Sequence, residues 1–212
     1  EKFVSESGAM YRASPNMEIS VESRKKKDDG LWGAFKSGIK AMFAGESFFL
    51  SSYTPNDGQS GEVGLAPTHQ GEVRSVKVGP DIWICSGGSY LGSSGGITLD
   101  TQYQGLTKGM FSKEGLVFVQ ASGEGDLLVN GFGRISSVDV SGGITIDNGH
   151  LIAFTEGLEY TITKAGSGWI SSMMSGEGLV MNFRGQGKVL VQSHDPSRLG
   201  GVLGPMLPPR ES

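Results

Sequence analysis

A single cysteine, Cys85, stands in a chain of 212 residues. An intrachain disulfide is therefore impossible, and a zinc site built from several thiolates is excluded. One cysteine fits a reducing compartment, although the lack of a pair is a weak indicator on its own. No apolar run reaches the ~18 residues that a membrane-spanning helix requires, and no secretory signal pattern is present. Positive charge is not in excess. The formal net charge is −4, whereas a dedicated nucleic-acid binder usually carries a clear basic surplus, so nucleic acid is not an expected partner.

Catalytic signatures are missing too. His69, His150 and His194 are far apart and show no metal-ligand spacing. There is no Gly-x-Ser-x-Gly elbow for a serine hydrolase. Gly123-Glu124-Gly125 and Gly131-Phe132-Gly133 do not open a helix after a strand, and no Gly-Lys-Ser/Thr ending follows them. Turn glycines account for both. Cys85 lies in the apolar run Ile82-Trp83-Ile84, which suits a buried packing residue better than a nucleophile. The expectation is a protein that is not an enzyme, with no catalytic residues, no metal and no cofactor.

What is abundant is glycine: 35 residues, against a usual share of about 7%. The glycines follow no three-residue period and form no single linker. They separate short apolar runs, where chain reversal needs positive φ or close backbone approach. Between them, residues alternate with period two. Ile19 and Val21 alternate with glutamate and serine, as do Val76 and Val78, Val138 and Val140, and Leu158, Tyr160 and Ile162 with their polar neighbours. Further short runs are Phe48–Tyr53, Glu62–Ala66, Leu116–Ala121, Leu127–Asn130, Leu179–Phe183 and Val189–Gln192. Many short strands of this kind predict an all-β sandwich or barrel. One stretch reads as a helix: Leu31, Phe35, Ile39 and Met42 or Phe43 recur at helical spacing. The segment 195–212 holds four of the eight prolines and reads as a docking turn followed by a loose tail.

Internal repetition is the most informative pattern. Glu46-Ser47-Phe48-Phe49-Leu50, Glu114-Gly115-Leu116-Val117-Phe118 and Glu177-Gly178-Leu179-Val180-Met181 each set a glutamate and a small residue before an apolar strand. Leu31-Trp32-Gly33, Gly109-Met110-Phe111 and Gly168-Trp169-Ile170 precede them. Gly61-Glu62-Val63, Gly125-Asp126-Leu127 and Gly187-Lys188-Val189 follow. Three diverged copies, about 1–78, 79–140 and 141–194, are expected to close around a shared interior as one domain over 1–194 with pseudo-threefold symmetry. The matching strings Gly95–Asp100 and Gly142–Asp147 fall out of this register and read as a coincidence of turn and strand chemistry. The chain opens at Glu1, and the first copy starts abruptly, so an upstream strand is expected to complete the arrangement.

These motifs carry a resemblance. Ser7-Gly8-Ala9-Met10, Ser14-Pro15-Asn16, Leu31-Trp32-Gly33 through Gly45-Glu46-Ser47, Gly64-Leu65-Ala66-Pro67, Gly149-His150-Leu151-Ile152-Ala153-Phe154 and Gly176-Glu177-Gly178-Leu179-Val180 resemble, in order and over nearly the whole chain, the altered-inheritance-of-mitochondria protein 24 family. That family is similar in fold to the tryptophan RNA-binding attenuation protein. The resemblance implies a double-stranded β-helix-like or sandwich fold with threefold internal similarity. It also implies, through the fungal mitochondrial member, a link to inner-membrane organisation. It brings no catalytic residues. The implied compartment is cytoplasmic for a bacterial source and mitochondrial for a eukaryotic one. Fold similarity to an RNA binder does not transfer RNA binding.

One local feature suggests a partner. Arg24, Lys25, Lys26 and Lys27 precede the amphipathic stretch bearing Trp32, Phe35, Lys36 and Lys40. Cations beside an apolar face suit an anionic membrane surface, at about 1 kcal/mol per basic residue. The plainer reading is a solvated loop followed by a helix packed on the β core. The leading expectation is a non-enzymatic scaffold or interaction protein, with a membrane surface and other proteins as partners. The alternative is a small-ligand or RNA-binding module, by analogy with the attenuation-protein fold. Strand edges make a homo-oligomer an expected state.

Overall fold

Alternating β-branched and polar residues do form strands. In the computed structural model the described residues are 1–23, 49–104, 116–164 and 179–208, and among them fifteen strands dominate. They are β1 (Phe3–Glu6), β2 (Met10–Ala13), β3 (Met17–Ser23), β4 (Phe49–Pro55), β5 (Val63–Leu65), β6 (Val73–Val78), β7 (Trp83–Ser86) and β8 (Tyr90–Ser94). There follow β9 (Ile97–Gln104), β10 (Leu116–Gly123), β11 (Gly125–Asn130), β12 (Ile135–Asp147), β13 (Leu151–Thr155), β14 (Leu158–Lys164) and β15 (Leu179–Gln192). Among the described residues one α-helix, α1 (Pro196–Leu203), follows, and a 3-10 turn over Gly204–Met206 succeeds it. The all-β expectation holds. The helix expected over 31–43 lies outside the described residues.

The strands make three antiparallel sheets. The first runs β3-β4-β1-β8-β11-β6, the second runs β12-β15-β13-β7-β10-β9 with β14 also on β15, and the third is the pair β2-β5. The second sheet is buried on both faces at its centre. Neighbouring residues of β7 show why: Cys85 and Trp83 point into one apolar cluster, and Ile84 points into another. The first cluster gathers Leu127, Val129, Ile135 and Ile152 with Cys85. The second gathers Phe118, Phe154, Met181 and Phe183. Its rings interlock, with Phe154 centred 5.0 Å from Phe183, 5.2 Å from Tyr160 and 5.8 Å from Phe118.

Three hairpins carry the 24–48, 105–115 and 165–178 segments, which lie outside the described residues. In β3–β4, Ile19 stands opposite Tyr53, which also faces Phe3 of β1. In β9–β10, Leu99 stands opposite Ala121, which also faces Trp83 of β7. In β14–β15, Tyr160 stands opposite Phe183, which also faces Ile144 of β12.

Two sequence expectations need correction. Leu179–Phe183 and Val189–Gln192 are not separate strands but parts of the 14-residue β15. The glycines between them bend the strand instead of ending it: Gly185 has φ +107° and pairs with Gly142 of β12 at φ +115°. A left-handed residue in each partner at the same rung lets a continuous ladder change direction. Between β10 and β11 the ladder does break, at Gly123 and Gly125 with φ +102° and +149°. The second correction concerns the tail. Asp195 caps α1 by accepting the Ser197 N–H at 2.8 Å, and Pro196 takes the first turn, where its missing donor costs nothing. This start signal outweighs Gly200 and Gly201 inside the helix.

Candidate functional site

The membrane-surface candidates Arg24, Lys25, Lys26, Lys27, Trp32, Phe35, Lys36 and Lys40 all lie outside the described residues. Their segment leaves β3 after Ser23 and enters β4 at Phe49, and these two residues are paired. Trp169 also lies outside the described residues. Trp83 is 4% exposed in the first cluster, donating its indole N–H to the Lys77 carbonyl at 3.1 Å.

Cys85 is fully buried, and burial pushes its thiol up to about 12. A thiol held protonated at neutral pH is a packing group, not a nucleophile.

Two of the histidines, His69 and His194, distant in sequence, come together in ring contacts with Phe132. The rings of His69 and His194 lie 5.9 and 5.3 Å from Phe132. His150 Nδ1 is 2.8 Å from the Gln192 carbonyl oxygen. Ser193 Oγ lies 2.7 Å from His194 Nδ1, a contact that resembles a nucleophile and its base. The same hydroxyl accepts the Arg134 N–H at 2.9 Å, and the Ser193 and His194 amides bond Arg134 and Phe132 carbonyls. The pair therefore pins two loops together. Among the described residues, no group of three or more metal-ligating side chains is assembled.

Glu72, one of the Gly-Glu glutamates, does more than open a strand. Its Oε2 accepts the Ile135 N–H at 2.8 Å and its Oε1 accepts from Arg74 Nη2 at 2.8 Å, while Arg74 donates to the Ile135 carbonyl at 2.6 Å. The Ile135 amide, then Arg74, lower its pKa. The carboxylate ties the start of β6 in the first sheet to the start of β12 in the second. The sequence signal was the Glu-x-Arg spacing, which is too common to stand alone.

A shallow depression of about 430 Å³ sits where the ladders bend, lined by Asp81, Asp139, Ser141, Thr155, Gln186 and Lys188. Asp139 and Lys188 are cross-strand neighbours. The Lys77–Asp126 pair, linked at 2.8 Å, likewise joins neighbouring strands, β6 and β11.

Apolar side chains without cover form two surfaces. Tyr11, Ile19 and Val21 are 65%, 46% and 65% exposed on β2 and β3. Val202, Met206 and Leu207 are 62%, 76% and 68% exposed on α1 and the turn after it. Ile19 and Val21 alternate on one strand and so share a face, and exposed apolar side chains that sit together point to binding. Sequence reasoning missed both surfaces, because strand alternation looks the same whether or not the apolar face is covered. Among the described residues, no helix is long and apolar enough to cross a membrane.

Comparison with other proteins places these features in a lineage. An uncharacterized protein of Streptococcus pyogenes serotype M6 is 30% identical over 203 residues, which is 95% of this chain and 80% of that protein. An X-ray crystal structure of a Streptococcus pyogenes protein, solved by structural genomics, superposes with a TM-score of 0.78 at 28% identity, covering 97% of this chain and 89% of that one. The profile described as Mitochondrial biogenesis AIM24 matches residues 1–194, and the chain belongs to the AIM24 family.

Proposed function

We propose that the protein is a non-enzymatic scaffold that works by presenting surfaces to partners, and that it is built from three related β units arranged with pseudo-threefold symmetry. The observation that carries the scaffold reading is the exposed apolar face of β3, with Ile19 46% and Val21 65% exposed. The unusual titrations support it, since each has a structural cause: Glu72 serves an inter-sheet tie and Asp126 a cross-strand pair, while Cys85 is simply buried. The repeat reading is supported by the matching register of the three hairpins, in which Ile19, Leu99 and Tyr160 take corresponding places.

The finer part of the proposal is an anionic membrane surface as one partner. The basic run Arg24–Lys27 follows directly from β3, the strand that carries Ile19 and Val21. Basic charge next to an apolar face gives two independent attractions to such a surface. Flotation with vesicles containing an anionic phospholipid tests it. The protein floats with the vesicles, and the K25Q/K26Q/K27Q variant floats less. Equal flotation of the two proteins, or none of either, refutes the membrane reading. A second reading, a binder of small polar ligands, draws on the depression between Asp139, Thr155 and Lys188. A thermal-shift screen of amino acids and nucleotides tests it.

A further inference from the structure

We propose that the depression between Asp81, Asp139 and Lys188 is a binding site for a free α-amino acid with a cationic side chain. The inference deepens the reading of the protein as a binder of small polar ligands and rests on it.

The pleat arranges the polar groups. Asp139 and Ser141 are two positions apart on β12 and share a face, and their ladder partners on β15 are Lys188 and Gln186. A carboxylate and a hydroxyl on one strand thus stand against an ammonium and an amide on the other. All four residues are exposed. Asp81 adds a second carboxylate from the corner between β6 and β7. A lysine and an aspartate placed across a rung can close on each other in this fold, as Lys77 and Asp126 do at 2.8 Å. Asp139 and Lys188 do not. Among the described residues, Asp81, Asp139 and Lys188 form no ion pair. Charges of both signs are therefore left uncommitted around one depression.

The seats are held in place. The Glu156 amide donates to the carbonyl of Ile82, the residue after Asp81, at 3.0 Å. Thr155 Oγ1 accepts the Lys188 amide at 3.0 Å. Two consecutive residues thereby fix both the corner that carries Asp81 and the strand that carries Lys188. A preorganised site loses less free energy on binding. Opposite charges on facing residues suit a ligand whose own opposite charges are adjacent. In an α-amino acid the ammonium and the carboxylate are one carbon apart, so the ammonium meets Asp139 while the carboxylate meets Lys188 and the Gln186 amide. Charge-assisted hydrogen bonds of this kind are the strong ones. Two carboxylates and one ammonium line the depression, leaving one negative charge. A zwitterionic head group does not neutralise it, and a cationic side chain directed to Asp81 does. The volume of about 430 Å³ lies within the usual range for small-ligand sites. No lining residue is aromatic, so an aromatic ligand side chain has nothing to stack on.

Calorimetric titration of the full chain tests the assignment with four probes: arginine, lysine, norleucine, which lacks the side-chain cation, and agmatine, which lacks the carboxylate. Backbone amide shifts locate the binding. Saturable binding of arginine or lysine is expected, at least about tenfold tighter than that of norleucine or agmatine, with shifts at Asp81, Asp139, Gln186 and Lys188. D81N removes the preference for arginine over norleucine. K188Q weakens arginine about tenfold and leaves agmatine unchanged. Both substitutions are at exposed positions and leave the thermal midpoint in place. Equal binding of arginine and norleucine, agmatine binding as tightly as arginine, a preference that survives D81N, or shifts confined to another surface overturns the proposal. If neither arginine nor lysine binds but another small polar molecule shifts these amides, the proposal falls and the reading beneath it stands. If no small polar molecule binds there, both fall.

Discussion

Replacing Phe154 by alanine tests whether the two apolar clusters form one cooperative unit. Phe154 is 0% exposed and contacts Phe118, Tyr160 and Phe183. A buried Phe→Ala change costs about 3–5 kcal/mol. Three ring pairs, each worth about 0.5–1.5 kcal/mol, put this site at the upper end, near 5 kcal/mol. F154L keeps most of the volume and loses the ring geometry, so it should cost about 1–2 kcal/mol. The reporter is Trp83, which sits in the other cluster while its strand pairs with β13, Phe154 against Ile84 and Thr155 against Trp83. With Trp32 and Trp169 changed to phenylalanine, urea unfolding followed by Trp83 fluorescence reads the effect across the shared sheet. At a slope of about 2 kcal/mol/M the F154A midpoint falls by roughly 2.5 M. A loss below about 1.5 kcal/mol, or a Trp83 transition that does not move, refutes the idea that one sheet couples both clusters.

Three further outcomes follow from single sites. Cys85 resists a thiol reagent in the native protein and reacts in urea. Because its folded pKa of about 12 exceeds its ordinary 9.0, stability falls from pH 9 towards 12, by at most about 1.4 kcal/mol per unit, and C85A removes that slope in pH-dependent denaturation. Glu72 has the opposite sign. Its lowered pKa means the stabilisation is present above 4.5 and lost as pH falls through the folded value, so E72Q flattens the acid limb of an unfolding curve. G71A meets Gly131 and Gly133 backbone and destabilises by at least about 1–2 kcal/mol in thermal unfolding, whereas G200A in α1 meets nothing within 4 Å and raises helicity by circular dichroism.

Much of the strand inventory was legible in the sequence, because period-two alternation reports directly on the pleat. The glycines were harder. The same residue ends a strand at Gly123 and bends one at Gly185. Sequence alone does not separate a turn from a corner when both need positive φ. Buried hydroxyls were invisible for a related reason. Ser5, Ser51, Ser52 and Ser93 look like solvent-facing positions, yet they are buried in the first sheet, where Ser5 Oγ lies 3.0 Å from the Tyr53 hydroxyl and Ser93 Oγ lies 3.0 Å from that of Tyr90. The histidine cluster around Phe132 arises from contacts across more than sixty intervening positions, which no local spacing encodes.

The bare face of β3 shows the limit most clearly. Met17, Ile19 and Val21 alternate with polar residues as Ile97 and Leu99 or Leu158, Tyr160 and Ile162 do, and the cross-strand registers agree. Local pattern therefore assigns all three strands a buried side. Burial, however, depends on what stands opposite. β9 and β14 each face an apolar cluster to which an outer strand contributes a valine, while among the described residues no such strand accompanies β3. An isolated strand gains nothing from exposed isoleucine and valine, and such residues on a sheet edge invite aggregation. Their presence on β3 is a cost unless a cover is supplied. Stability measurements test the exposure directly, because I19S/V21S changes the unfolding free energy of the chain by no more than about 0.5 kcal/mol when both side chains face solvent. A large loss would mean that the face is already packed, and the comparison among the three hairpins would lose its basis.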